Sequence, residues 1–129
     1  MDELVQFLCD RLDGDERAAR RAGDSFRQVG ETGVIVATEG DRAEECASAH
    51  WSGVAEHIVR HDPARVLAEV EAKRQLLHLH RQMEDSEEML DFCATCDAAG
   101  KYPEYPCQTL RLLALPYADH ADYREEWRP

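Results

Sequence analysis

The feature that most constrains this chain is a concentration of cysteine and histidine in its C-terminal half. Cys93 and Cys96 form a Cys-x-x-Cys motif, Cys107 follows eleven positions later, and His78 and His80 precede the motif. Thiolate and imidazole are the ligands that zinc prefers, and a Cys-x-x-Cys turn commonly supplies two of them. The sequence therefore predicts one zinc ion held by three cysteines and one histidine.

The fourth ligand is expected at the end of the long helix that precedes the motif. His78 and His80 both lie there, on opposite sides of the apolar stripe of that helix, so the periodicity does not choose between them. A closed site with four protein ligands is structural, because it has no open position for water or substrate. Such an ion would join the long helix to the C-terminal segment.

Other interpretations of the cysteines remain open at this stage. They could be ordinary buried thiols. Cys93 and Cys96 could also form a redox pair, but thioredoxin-type pairs follow a strand, and here an acidic connector precedes the pair. An iron–sulfur cluster would need a fourth thiolate from Cys9 or Cys46.

Length and composition predict one small domain with a thin core. The chain has 129 residues, of which 7% are aromatic and 33% charged, so a metal ion that joins segments would add useful stability. We expect a single domain over residues 1–129. Its helical part is predicted at 1–83, with a β-hairpin at 25–38, and its zinc-stabilised lobe at 84–129.

The net charge of −12 argues against a general surface for nucleic-acid phosphates, which requires cationic side chains. One acidic cluster could serve solubility alone, or it could offer carboxylates to a basic protein partner, even as a mimic of DNA. Its members are Glu84, Asp85, Glu87, Glu88 and Asp91.

The sequence also predicts a compartment. There is no apolar run of about 18 residues that could span a membrane, and the N-terminus lacks a basic segment followed by an apolar one. Five cysteines, three of them close together, are typical of metal binding in a reducing environment. We expect a cytoplasmic protein.

The N-terminal half is predicted to contain a helix, a hairpin and a second helix. Leucines spaced four apart indicate a helix over residues 2–21 that stops near Gly23, and two short β-type runs flank the turn at 30–33. Asp41 and Glu44 resemble a capping pair for a helix over about 42–60.

Asp62 and Pro63 predict the start of a further helix over about 63–83, so that two helices follow each other through a short turn as a long helical hairpin. Cys107 is expected to open a short helix, and Asp122 with Glu125 to cap a last helical turn that carries Trp127. The predicted fold class is mostly α, a small α+β chain with a zinc knuckle in its C-terminal lobe.

Two further groups of histidines allow weaker interpretations. His57 and His61 are one helical turn apart, with His50 seven residues further back, and could form a second metal face or a proton-transfer pair. His120 with Asp119 could suggest acid–base chemistry, but no nucleophile is evident beside it. Histidines near a helix C-terminus are more often simply favoured by its dipole.

Several segments carry a resemblance to a known family. They are Leu4–Leu8, Ala55–Leu67, Glu69–Arg74, the Cys-x-x-Cys motif, Pro106–Ala114, Pro116–His120 and Asp122–Pro129. On these residues the chain resembles an uncharacterised family of small proteins from Streptomyces, related actinobacteria and their phages. The resemblance implies one histidine at His80, three cysteines at Cys93, Cys96 and Cys107, and no known reaction.

We therefore expect a zinc-stabilised protein-interaction or regulatory module, associated with a phage or mobile element. The alternatives are a metal-dependent enzyme with an open three-cysteine zinc site or with catalytic histidines, and an acidic DNA mimic that inhibits a nucleic-acid-binding protein. A protein partner is expected, with no membrane binding and no general nucleic-acid binding. A homodimer through the flank of the helical hairpin remains open.

Overall fold

The computed structural model describes residues 2–85, 90–96 and 105–129. Within these residues the chain forms a small α+β structure, as predicted. The helices are α1 (Glu3–Arg21), α2 (Ser52–Arg60), α3 (Pro63–Leu79) and α4 (Gln108–Ala114), and the strands are β1 (Ser25–Gln28), β2 (Val34–Glu39), β3 (Arg42–Ser48), β4 (Gln82–Asp85) and β5 (Leu90–Cys93). Short 3-10 helices follow at Leu115–Tyr117 and Glu125–Trp127.

The chain divides into two compact units. The first unit contains Met1–Leu12 and Ala72–Pro129, and the second contains Asp13–Glu71. The prediction of a single domain stays a prediction. None of the helices within the described residues is long and apolar enough to cross a membrane.

The second unit contains a three-stranded antiparallel sheet in the order β1-β2-β3. The predicted hairpin is confirmed, because β1 pairs with β2 from Ser25 opposite Thr38 to Gln28 opposite Ile35. Helix α2 contacts β1 and β2. The side chains of Ile35 and Ala55 are fully buried and form part of the apolar interior of this unit.

Strand β3 contradicts the helix predicted for residues 42–60. Residues 42–48 pair with β2 instead, which places Glu44 opposite Ala37, and the helix begins only at Ser52. Trp51 occupies the N-cap position without a side-chain capping bond, so the predicted cap at Asp41 and Glu44 is wrong. All of β3 is exposed, and therefore no alternation of buried and exposed side chains marks it as a strand.

Two helix starts are confirmed. The Oδ1 atom of Asp2 accepts a hydrogen bond from the backbone N–H of Leu4 at 2.8 Å, at the start of α1. Asp62 caps α3 in the same way, because its Oδ1 atom accepts from the backbone N–H of Arg65 at 3.0 Å. The other oxygen of Asp62 accepts from the backbone N–H of Phe26 at 3.1 Å, which ties the start of α3 to β1.

The first unit has its own apolar core. Its buried members are Leu4, Phe7, Leu8, Cys93, Cys107, Leu110, Ala114 and Trp127. Trp127 lies in the last 3-10 turn, as expected, but the N-cap of that turn is Arg124 and no side chain caps it, so the predicted role of Asp122 is wrong.

Helix α3 ends four residues earlier than predicted. The chain turns at His80 and forms β4, which pairs antiparallel with β5 from Gln82 opposite Cys93 to Asp85 opposite Leu90. The expected acidic connector at 84–91 is therefore partly a β-hairpin, and its residues 86–89 lie outside the described part of the chain. This hairpin brings the end of α3 close to the Cys-x-x-Cys motif.

Candidate metal centre

Four side chains that the sequence singled out meet in the first unit. One ligand atom from each of His80, Cys93, Cys96 and Cys107 lies within 4.8 Å of all the others, and this group could hold a metal ion. Cys93 and Cys107 are buried, His80 is 9% exposed and Cys96 is half-buried. The group therefore lies inside the fold and has one edge near solvent.

Backbone hydrogen bonds fix the positions of His80 and Cys93. The N–H of His80 donates to the carbonyl oxygen of Leu76 at 3.0 Å, which holds the histidine directly after the last turn of α3. Cys93 is the last residue of β5, and the next N–H, that of Ala94, donates to the carbonyl oxygen of Arg81 at 3.0 Å. The turn at 94–96 then carries the chain to Cys96.

The fourth position is set by a helix start. Cys107 is the N-cap residue of α4, with an extended backbone, and its carbonyl oxygen accepts the first helical hydrogen bond from the N–H of Arg111 at 3.2 Å. The side chain of Arg111 also donates, through Nε, to the carbonyl oxygen of Pro106 at 3.1 Å. Both contacts fix the backbone that carries the third sulfur.

The distances indicate coordination better than hydrogen bonding. The Nδ1 atom of His80 lies 3.4 Å from the Sγ of Cys93 and 3.5 Å from the Sγ atoms of Cys96 and Cys107. One ring N–H can donate to one acceptor well, not to three at once. A metal ion at the centre of these four atoms would satisfy all of them together.

The same distances agree with a tetrahedral zinc ion. Zinc binds sulfur at about 2.3 Å and imidazole nitrogen at about 2.0–2.1 Å, so tetrahedral angles give nitrogen–sulfur separations of about 3.5–3.6 Å. The observed values of 3.4–3.5 Å are close to this edge length. The donor set and its spacing are therefore compatible with zinc.

The thiol pKa values differ within the group. Burial raises the pKa of Cys93, but hydrogen bonds from the backbone N–H groups of Cys96 and Thr95 lower it, and the pKa falls below its ordinary value. Burial and the neighbouring Cys93 and Cys107 thiols raise the pKa of Cys96 to about 12. Thiolates this close to one another repel each other, which disfavours ionisation of a second and a third thiol. A bound divalent metal ion would stabilise all three thiolates.

The remaining candidate ligands lie elsewhere. His78 is exposed on α3 and does not belong to the group, which decides the choice that the sequence left open. Among the described residues neither Cys9, half-buried in α1, nor Cys46, exposed on β3, joins the three thiols. An all-thiolate iron–sulfur site is therefore not assembled here.

His120 lies in an aromatic cluster that sequence reasoning did not foresee. Its ring packs edge-on against Phe7, with ring centres 5.7 Å apart, and its Nε2 atom contacts the guanidinium of Arg11. The ring of Phe7 also packs against Tyr123 and Trp127. Phe7 falls four residues from Arg11 on α1, a helical spacing that could have indicated a shared face.

A comparison with protein families gives one result. A family model described as a family of unknown function (DUF6221) matches residues 1–129. No curated protein and no solved structure matches the chain. The expected membership of an uncharacterised family is thereby confirmed, whereas its actinobacterial or phage source stays a prediction.

Proposed function

We propose that this chain, which belongs to the family of unknown function DUF6221, is a zinc-stabilised module that binds a basic protein partner. The observation that carries the proposal is the approach of three sulfur atoms to one imidazole nitrogen at 3.4–3.5 Å. His80, Cys93, Cys96 and Cys107 would be the four ligands.

The donor set favours zinc over other metal ions. Thiolates select soft or borderline ions, and three thiolates with one imidazole are a common structural zinc set. Calcium and magnesium prefer oxygen ligands, of which this group offers none. Zinc with three thiolates carries a net charge of −1, which a largely buried site tolerates far better than the −3 of the ligands alone.

Four protein ligands favour a structural role over catalysis. A tetrahedral ion bound by His80 and all three cysteines has no open position for water or substrate. An enzyme with an open three-cysteine zinc site would need His80 to stand away from the metal, yet its Nδ1 atom is nearly equidistant from the three sulfurs. The metal would then stabilise the end of α3, the β4–β5 hairpin and the start of α4.

Exposed apolar side chains support a binding role. In the second unit Trp51, the N-cap residue of α2, is 64% exposed, and Ile58, seven positions further on, is 37% exposed. Seven positions are close to two helical turns, so both side chains can lie on one side of that helix. Tryptophan is among the residues that dominate binding energy at protein interfaces. We propose that this pair, which we call the Trp51 face, contacts the partner.

The charge supports a basic partner. The chain carries a net charge of −12, and Glu84 stands directly opposite Asp91 in the β4–β5 hairpin. Like charges at opposed positions of two strands destabilise the pair, and a cationic partner surface would relieve that repulsion. The binding is then expected to weaken as salt concentration rises.

Metal analysis tests the zinc site. Purified protein is expected to contain one zinc per chain, and Cys96→Ser should lower that ratio while Cys46→Ser, at the exposed thiol of β3, should leave it unchanged. Cobalt substitution gives a second readout, since tetrahedral cobalt bound by thiolates has characteristic visible absorption. Absence of stoichiometric metal from the unmutated protein would refute the site.

Affinity capture from the cells that make the protein tests the partner. A basic protein should be captured at low salt, lost with Trp51→Ala and retained with Leu112→Ala, whose side chain is similarly exposed on α4. Competition by duplex DNA would favour the DNA-mimic alternative. Elution of the free protein as a dimer that Trp51→Ala dissociates would favour a second copy on the Trp51 face.

A further inference from the structure

A pair of histidines in the second unit forms a group separate from the cysteine site. His57 and His61 are four residues apart, with ring centres 4.7 Å apart and ring planes at 51°. Both side chains are exposed. We propose that this pair is a second, exchangeable metal site, which binds a divalent transition-metal ion such as Ni²⁺ through two imidazole nitrogens.

The helix geometry brings the two rings together. Residues four apart in a helix lie one above the other on the same face. His57 lies in the last turn of α2, and His61 is its C-cap residue, held by a hydrogen bond from its N–H to the carbonyl oxygen of Ile58 at 3.1 Å. The backbone therefore sets the spacing of the two side chains before any ion binds.

The ring separation suits two bonds to one ion. Imidazole binds transition metals at about 2.0–2.1 Å, so two nitrogen ligands at a right angle lie about 3 Å apart. Because a ring centre lies about 1.1 Å beyond its ligating nitrogen, the ring centres of such a pair lie about 4.5 Å apart. The ring centres of His57 and His61 are 4.7 Å apart, and their planes are tilted instead of stacked. Both side chains are exposed, so each ring is free to turn one nitrogen toward a shared ion.

The surroundings also suit a cation. Both residues stand at the C-terminal end of α2, whose last carbonyl groups carry partial negative charge. The carbonyl oxygen of Arg60 accepts a hydrogen bond from the guanidinium of Arg65 at 3.2 Å, and that guanidinium also pairs with Glu69 at 2.9 Å. Arg60, the nearest cationic residue in sequence, pairs with Glu56 at 3.0 Å. That ion pair offsets the repulsion that Arg60 would otherwise exert on a bound metal ion.

The chemistry sets this site apart from the cysteine site. Two neutral imidazoles occupy two coordination positions and leave the others to water or to a donor from another molecule. Imidazole suits nickel, copper and zinc, with affinities that rise from nickel to copper. The pair is thus expected to bind its ion more weakly and exchange it faster than four enclosing ligands would.

Calorimetric titration of the zinc-loaded full chain with Ni²⁺ tests the inference. His57→Gln and His61→Gln should each weaken Ni²⁺ binding by at least about tenfold, a loss that even second-shell changes produce at metal sites. His50→Gln and His78→Gln are matched controls, because both histidines are exposed and lie outside the pair; they should leave the affinity unchanged. Circular dichroism should show the same fold in all four variants.

Three results would overturn the inference. One is a Ni²⁺ affinity that stays unchanged in His57→Gln or in His61→Gln. Another is a loss of Ni²⁺ affinity in the two control variants that is as large as the loss in the pair variants. The third is Ni²⁺ uptake matched by release of zinc, which a chromogenic indicator detects and which would place the Ni²⁺ at the cysteine site. The inference does not depend on the proposed function, since it stands on a different unit and different ligands.

Discussion

The Nδ1 atom of His80 lies 3.4 Å from the Sγ atom of Cys93, although thirteen positions separate the two residues in the chain. The β4–β5 hairpin explains this proximity, because Gln82 pairs with Cys93 and returns the chain to the end of α3. One backbone pairing therefore places an imidazole beside the first thiol of the Cys-x-x-Cys turn.

Removal of the metal is expected to unfold the first unit. Zinc binding contributes on the order of 10–16 kcal/mol in finger peptides, which is comparable to or larger than the ~5–15 kcal/mol stability of a typical domain. A chelator, or the substitution His80→Ala, should abolish cooperative melting of this unit. His78→Ala changes an exposed histidine of the same helix and should leave the melting temperature unchanged. A chelated protein that melts at the original temperature would contradict the structural role.

The two tryptophans are expected to behave differently. Trp127 is 7% exposed and packs on Phe7 at 5.2 Å between ring centres, so Trp127→Ala should cost about 3–5 kcal/mol of stability. Trp51 is mostly exposed, and Trp51→Ala should change stability by only about 0.5 kcal/mol. Urea unfolding measures both. Equal losses in the two variants would refute the assignment of Trp127 to the core.

Tyr123→Phe is expected to keep or raise stability. Among the described residues, the buried hydroxyl of Tyr123 has no hydrogen-bond partner, and an unsatisfied buried polar group costs about 1–3 kcal/mol. The phenyl ring would retain the contacts with Phe7 and Trp127. Thermal unfolding compares the variant with the unmutated protein, and Tyr123→Ala, which removes the ring, serves as the destabilised control. A clear loss of thermal stability in Tyr123→Phe would contradict this expectation and indicate a hydrogen-bond partner for the hydroxyl.

Two glycine-to-alanine substitutions are expected to change stability in opposite directions. A Cβ atom at Gly33 would lie 2.1 Å from the carbonyl oxygen of Ala49, so Gly33→Ala must displace backbone and should cost at least about 1–3 kcal/mol. Gly14 lies within α1, and among the residues that the structure describes a Cβ atom there would meet the flexible end of Arg17 at 4.0 Å. Gly14→Ala should therefore stabilise the protein by about 1 kcal/mol. Chemical denaturation gives both values, and stabilisation by Gly33→Ala would contradict the position of Ala49.

Local patterns were sufficient to predict much of the molecule. The spacing of Cys93, Cys96 and Cys107 identified three members of the metal group, and Asp62 before Pro63 identified the start of α3. These features act over one or two turns of chain, through side-chain chemistry and capping hydrogen bonds. Such features can therefore be recognised from a short stretch of sequence.

The tertiary structure decided what depends on pairing between distant segments. The sequence pattern of residues 42–48 predicts a helix, but these residues form a strand because they pair with β2. The pairing of β4 with β5 ends α3 early and brings His80, not His78, to the three sulfurs. Local sequence therefore determined which groups could bind a metal ion, whereas the strand partners determined which of them meet, because a backbone hydrogen bond between strands depends on a residue far away in the chain.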